Sequence, residues 1–247
     1  MSYLIIGSSS GLGRELAYAF AKNQNNLILV SRDKRDLNPI KSDLEKKFGI
    51  TVEALDLDFS SLDNIEKKLL SQKKLLQELK GVMFPIGLMS EKDDLNLEIE
   101  EASKILYANY LSVAFVIKNL EKLYLDKKFL IVGFGSVSGF LGRNLNNFYA
   151  AAKRSLESHF ESLIFKNSNN ELKIHFYTLG YLDTNLAFGK SLLLPKGNVT
   201  SLANLVYKNR EKKTVKRHFP TFWGLISLIF RIIPFSIILR FKNFLKI

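Results

Sequence analysis

Residues 5–20 read IIGSSSGLGRELAYAF, an aliphatic run that breaks at Gly7, Gly11 and Gly13 and resumes as a segment of helical period. A strand over 3–6 feeding a helix over 12–23 through such a turn suits a pyrophosphate ligand. Glycine lets the backbone turn tightly and approach the anion, and free N–H groups at the helix N-terminus meet its charge. Ser9, Ser10 and Leu12 complete the candidate cradle. A glycine-rich turn alone also reads as a plain structural turn. The rest of the chain argues for the ligand. Short apolar or β-branched runs at 27–31, 51–56, 82–86, 129–134, 172–178 and 214–218 alternate with helical segments at 61–79, 98–119, 148–167 and 199–209. That βαβ rhythm predicts an α/β fold: a doubly wound parallel sheet with helices on both faces, in three α/β/α layers.

The second strand, LILVSRD over 27–33, ends in Ser31 and Arg32. An acid there would accept a hydrogen bond from the ribose 2′-hydroxyl of NAD. A hydroxyl and a guanidinium instead suit the 2′-phosphate of NADP(H), which is therefore the expected cofactor. Arg35 and Arg14 either add to that pocket or stand as solvated surface charges, and for Arg14 the surface reading is preferred.

The glycine spacing is GxxxGxG, and with the motifs that follow it resembles the short-chain dehydrogenase/reductase family over about residues 2–218, although Ile6 stands where a threonine is usual. The resemblance implies a Rossmann-type single domain that carries out carbonyl reduction or the reverse, with a catalytic Asn, Ser, Tyr and Lys. Tyrosine is a poor acid or base near neutrality because its ordinary pKa is about 10. A lysine four residues later shares its helix face, and the ammonium charge would bring the phenol toward the working range. Tyr149 with Lys153 has this spacing, but so do Tyr18 with Lys22 and Tyr124 with Lys128. The family places a serine thirteen positions before its tyrosine, to hydrogen-bond the substrate oxygen. Ser136 fills that place for Tyr149, whereas the other two tyrosines have Ile5 and Leu111.

Asn109, in YANYLS, resembles the fourth catalytic residue, whose carbonyl would hold a water in the proton relay. The competing reading is a helix-interior polar residue, a position asparagine does not favour. LGYLDTN over 179–185 resembles the family's PGxxxT loop, implying cofactor contacts at Gly180, Leu182 and Thr184, with Leu179 in place of the proline. Asp56 and Leu57 resemble the adenine-contacting pair; the alternative for Asp56 is a helix cap, a role open to Asp58 or Ser60 as well. The fourth strand departs furthest, reading FPIG where NNAG is usual and keeping only Gly87, so altered hydrogen bonding is expected at its exit.

The chain has 247 residues, 47% of them hydrophobic, enough for a sizeable core and expected to form one catalytic domain over 1–218 with a helical extension over 219–247. No cysteine and three histidines make disulfides impossible and a metal site unexpected. The net charge of +12 is concentrated at the end: from Lys208 onward ten Lys and Arg face one acid, Glu211. Long aliphatic runs interleave this charge, which argues against nucleic acid.

Phe222 to Phe230 is too short to span a bilayer, and Arg231 and Pro234 divide it from a second apolar segment. The extension then reads either as an amphipathic anchor on an anionic membrane surface or as a segment packed on the substrate pocket or a subunit interface. A cytoplasmic protein at the inner face of a membrane is expected, reducing a lipophilic or lipid-linked carbonyl compound. The apolar Leu192 to Leu194 would sit in a substrate lid over 185–197, and Phe140, Leu141 and Phe148 would line the same cleft or pack in the core. The alternatives are a soluble-substrate reductase whose tail oligomerises and a non-catalytic NADP(H)-binding regulator. By the resemblance, a homodimer or homotetramer would pair through helices 98–119 and 148–167.

Overall fold

The computed structural model describes residues 1–62, 65, 68, 71–72, 76–94, 96–142, 145–183 and 195–240. Strands β1 (Ser2–Ile6), β2 (Asn26–Ser31), β3 (Val52–Asp56), β4 (Leu79–Phe84), β5 (Leu130–Ser136), β6 (Lys173–Leu179) and β7 (Thr214–Phe219) pair in parallel in the order β3-β2-β1-β4-β5-β6-β7. The order reverses between β1 and β4, which opens a crevice at the carboxyl ends of the strands.

Among the described residues the helices are α1 (Gly11–Ala21), α2 (Asn38–Phe48), α3 (Ile99–Leu106), α4 (Ser112–Tyr124), α5 (Asn147–Lys166), α6 (Val199–Asn209), α7 (Trp223–Ile232) and α8 (Phe235–Arg240). Successive strand residues point to opposite faces, and both faces are covered. Tyr3, Ile5, Leu27 and Leu29 therefore pack in one core with Leu16 and Phe20 of α1, Leu44 of α2 and Leu202 of α6. Leu4, Ile6, Ile28 and Val30 pack in the other with Val116 and Leu120 of α4 and Leu156 and Phe160 of α5. This is the doubly wound, three-layer arrangement read from the sequence.

The seating of α5 matters most for the site. On β5 a Cβ at Gly133 would stand 2.4 Å from the Phe160 ring. Glycine lets that ring reach the sheet, where it lies 5.0 Å from the Phe176 ring, and so brings the whole helix close to the β5 exit.

Several boundaries differ from those expected. β4 begins at Leu79 and ends at Phe84, because Pro85 has no N–H to continue a ladder. The expected helix 61–79 lies partly outside the described residues, and its last position belongs to β4. The expected helix 98–119 runs on to Tyr124 and is interrupted by a π-helical turn at Tyr107–Leu111. Helix α2 fills the gap between the second and third strands, with Pro39 in its first turn and Gly49 at its C-cap, in the left-handed region at φ 67°, as its start and stop signals.

In the extension, Ile233 is extended (φ −69°, ψ 124°), as a residue before proline prefers, and it separates α7 from α8. α7 packs on β7 and on the turn at Val137–Phe140. Among the described residues no helix is long and apolar enough to cross a membrane.

Candidate active site

A cleft of about 450 Å³ lies at the crevice. Its floor at β1 is the glycine turn, tied to β2 by Gly7 N and Ser8 N, which donate to the Val30 carbonyl at 2.9 and 3.1 Å. Gly7 has φ +95°, and a Cβ there would stand 2.9 Å from Ile86 Cα. A Cβ at Gly13 would stand 1.9 Å from the Gly7 carbonyl oxygen, so both positions require glycine. Gly7, Ser9, Ser10, Gly11 and Leu12 line the cleft, while Gly13 lies behind the turn. Ser10 precedes α1 and makes no side-chain capping bond, which leaves the first N–H groups of α1 for a ligand. The cradle fits a pyrophosphate.

Ser31 and Arg32 line the cleft at the β2 exit; Ser31 is buried and donates to the Asp33 carbonyl at 2.5 Å, and Arg32 is exposed. Arg35 does not join them, because its guanidinium is bound to the Asp33 carboxylate at 2.5 Å and holds that carboxyl down at about 2. Arg14 lies over the Tyr18 ring, away from the cleft. At the β3 exit Leu57 and Asp58 line the cleft, whereas Asp56 is ion-paired with Lys68 on the outside. The adenine-contacting pair read from the sequence is thus divided.

The catalytic candidates converge. Ser136 ends β5, lines the cleft and accepts from Ser138 N at 3.1 Å. Tyr149 stands in the first turn of α5, and Lys153 follows one turn later with Nζ 5.7 Å from the Tyr149 ring centroid. The two decoys serve the fold: Tyr18 donates to Asp43 at 2.5 Å, and Tyr124 donates to the Leu76 carbonyl at 2.5 Å while accepting from Leu79 N at 2.8 Å.

Asn109 is fully buried within the π turn, a distortion that recurs at functional sites. It accepts from Leu88 N at 3.3 Å and donates to the carbonyls of Leu88 at 2.7 Å and Ile105 at 2.9 Å. Gly87 lines the cleft beside it. The β4 exit is therefore held through the Leu88 backbone by the Asn109 side chain.

Burial dominates the electrostatics of the pair. Burial pushes the Tyr149 hydroxyl up to about 12 despite the opposing hydrogen bond from Ser136. Burial likewise pulls Lys153 down to about 8. The lysine is 4% exposed, and its ammonium group donates to the carbonyls of Ile86 and Phe134, each at 3.2 Å. Desolvation thus outweighs the Ser136 hydrogen bond, and at neutral pH the tyrosine keeps its proton. A protonated phenol beside a serine hydroxyl is equipped to give a proton to a developing alkoxide.

Gly180 and Leu182 line the cleft, with Gly180 N donating to the Phe219 carbonyl at 2.8 Å and Leu182 bridging to Gly197. Thr184 and Leu192 to Leu194 lie outside the described residues. Phe140, Leu141 and Phe148 do not line the cleft; Phe140 turns to His218, with centroids 5.6 Å apart. Sequence reasoning missed Ser8, whose hydroxyl donates to Val30, and Asp93, whose carboxylate meets the first turn of α5. Ser8 stands within the glycine turn but faces Val30 rather than the cleft, and Asp93 belongs to no local pattern that points to it. Among the described residues no group of three or more potential ligands could hold a metal ion.

The buried lysine predicts a pH signature. Its ammonium form is penalised in the folded state, and the penalty is present below pH 8 and relieved as pH rises toward 10.5. The stability of the wild type relative to Lys153→Met should therefore increase by about 3 kcal/mol between pH 7 and 10.5, measured by urea unfolding. A difference that stays flat with pH would contradict the burial of the charge.

Comparison with known proteins agrees with this geometry. Residues 2–191 match the family described as short chain dehydrogenase. A dehydrogenase/reductase SDR family protein 7-like from Anopheles gambiae is 28% identical over 190 residues, 74% of this chain, which spans 60% of that protein's length. The NADP-dependent 3-hydroxy acid dehydrogenase of Schizosaccharomyces pombe is 27% identical over 85% of this chain and 81% of its own. The structure of a short-chain dehydrogenase from Sphingobium yanoikuyae in complex with NADPH shares the fold, with a TM-score of 0.76 at 21% identity over 94% of this chain and 96% of that one. The chain belongs to the short-chain dehydrogenase family of NAD(P)(H)-binding oxidoreductases.

Proposed function

We propose that the chain is an NADP(H)-dependent reductase of lipophilic or lipid-linked carbonyl compounds that works while docked on an anionic membrane surface. The observation that carries the reading is a single cleft in which Ser136, a protonated Tyr149 and Lys153 meet, and whose β2 exit offers Arg32. The NADP named for the fission-yeast relative and the NADPH of the Sphingobium structure support the choice of cofactor. A bound nicotinamide supplies the hydride. Ser136 donates to the substrate oxygen and polarises the carbonyl, and Tyr149 delivers the proton as negative charge grows there. Lys153 keeps a positive charge beneath the tyrosine, and Asn109 anchors the β4 exit on which the lysine rests.

The membrane part of the reading rests on the extension. The inner face of α7 seats Trp223 against Gly180, where a Cβ would stand 1.9 Å from the indole nitrogen, and against Tyr181, with centroids 5.7 Å apart. The outer face leaves Leu225 at 65% and Ile232 at 70% exposure, with Phe235 of α8 at 62%. Arg231 and Arg240 flank these side chains, and no acid follows Glu211. An apolar face bordered by Arg240 and by Arg231, the latter 3.9 Å from Glu157, fits an anionic leaflet, such as the cytoplasmic face of a membrane, better than a polar partner. Because α7 also touches the Gly180 loop, such docking would place the cleft at the lipid surface. Exposed Phe165 on α5 and Leu123 on α4 support pairing of two copies through those helices.

Two outcomes check the proposal. NADPH-dependent turnover of long-chain or polycyclic ketones should fall roughly a hundredfold or more in Tyr149→Phe; unchanged turnover would remove the tyrosine from the chemistry. Sedimentation with vesicles containing phosphatidylserine should exceed that with neutral vesicles roughly tenfold and be lost in a Leu225→Asp, Leu228→Asp double variant. Equal binding to both vesicle types, or a double variant that only splits an oligomer, would favour a soluble reductase whose tail joins subunits.

A further inference from the structure

We infer that Asp93 is the positioning residue for Tyr149, an inference that rests on reading Tyr149 as the proton donor. A helix leaves its first N–H groups without intrahelical partners, and a residue at the N-cap ordinarily serves them. In α5 the N-cap is Asn146, whose backbone is left-handed (φ 61°, ψ 39°) and whose side chain makes no capping bond. Asp93, distant in sequence, takes the role instead. Its carbonyl accepts from Asn146 N at 2.6 Å and Asn147 N at 3.3 Å. One carboxylate oxygen accepts from Phe148 N at 2.9 Å and the other from Tyr149 N at 2.9 Å.

This residue therefore receives four consecutive amides, the last belonging to the catalytic tyrosine. Asp93 is 1% exposed, and a carboxylate so buried is held in place by those donors and by the positive end of the helix dipole. The segment that carries it leaves β4 past Leu88, whose N–H and carbonyl are both bound by Asn109. One stretch of chain thus fixes Asn109 at its start and the Tyr149 backbone at Asp93, which sets the height at which the phenol meets Ser136.

The experiment combines Asp93→Ala and Asp93→Asn with Tyr149→Phe, measuring NADPH-dependent turnover of a long-chain ketone and NADPH binding by fluorescence. Asp93→Ala should lower kcat roughly tenfold to a hundredfold, as misplacing a reacting group by about an ångström does, with NADPH affinity held within about twofold. Asp93→Asn keeps one acceptor oxygen in nearly the same volume and should recover part of the loss. In the Tyr149→Phe background Asp93→Ala should cost nothing further, because both changes act through one group.

Unchanged kcat in both Asp93 variants, an equal loss in the Tyr149→Phe background, or a loss confined to NADPH affinity would overturn the inference. Should Asp93→Ala not fold, the same comparisons are made with Asp93→Asn, which is then expected to lower kcat at constant NADPH affinity. Full kcat in Tyr149→Phe alone would instead overturn the reading of the site and, with it, the role given to Asp93.

Discussion

Much of this molecule's chemistry depends on an ammonium group buried at the base of the cleft. Lys153 is 4% exposed, and its contacts are the carbonyls of Ile86 and Phe134, which belong to the exits of two neighbouring strands. A buried charge held by carbonyl dipoles has its pKa lowered by desolvation, and here it falls to about 8. It remains mostly protonated at neutral pH and is poised to respond when an anionic ligand or a phenolate arrives beside it. The sheet order, the π turn that sets Asn109 against Leu88 and the glycine that admits Phe160 to β5 all bring those carbonyls and α5 together.

The architecture was legible because parallel strands covered on both faces are written as continuous apolar runs, and the glycine turn marks where the first of them must bend. The catalytic trio was legible for a different reason. Three tyrosines have a lysine four residues on, and only the one with a serine thirteen positions earlier lies in the cleft; Tyr18 and Tyr124 spend their hydroxyls on Asp43 and Leu76.

What the sequence did not reveal falls into two physical kinds. Contacts between residues far apart in the chain have no periodicity: Asp93 beneath α5, Lys68 paired with Asp56, and Trp223 returning to Gly180 are of this kind. The other kind is the balance of opposed terms. Helical spacing predicted that Lys153 would lower the Tyr149 pKa, but the phenol's shift is set first by burial, a depth that spacing does not encode. Arg35 shows the same limit on a small scale, since its nearest acid is its own neighbour Asp33.

The central claim, a cleft built for a 2′-phosphorylated nicotinamide nucleotide, is tested most directly by fluorescence titration of the purified chain and of Arg32→Asp with NADPH and NADH. The account predicts that the wild type binds NADPH roughly tenfold or more tightly than NADH, and that the substitution abolishes this preference while leaving NADH binding in place. Binding of neither nucleotide by the wild type, or a preference indifferent to Arg32, would contradict it.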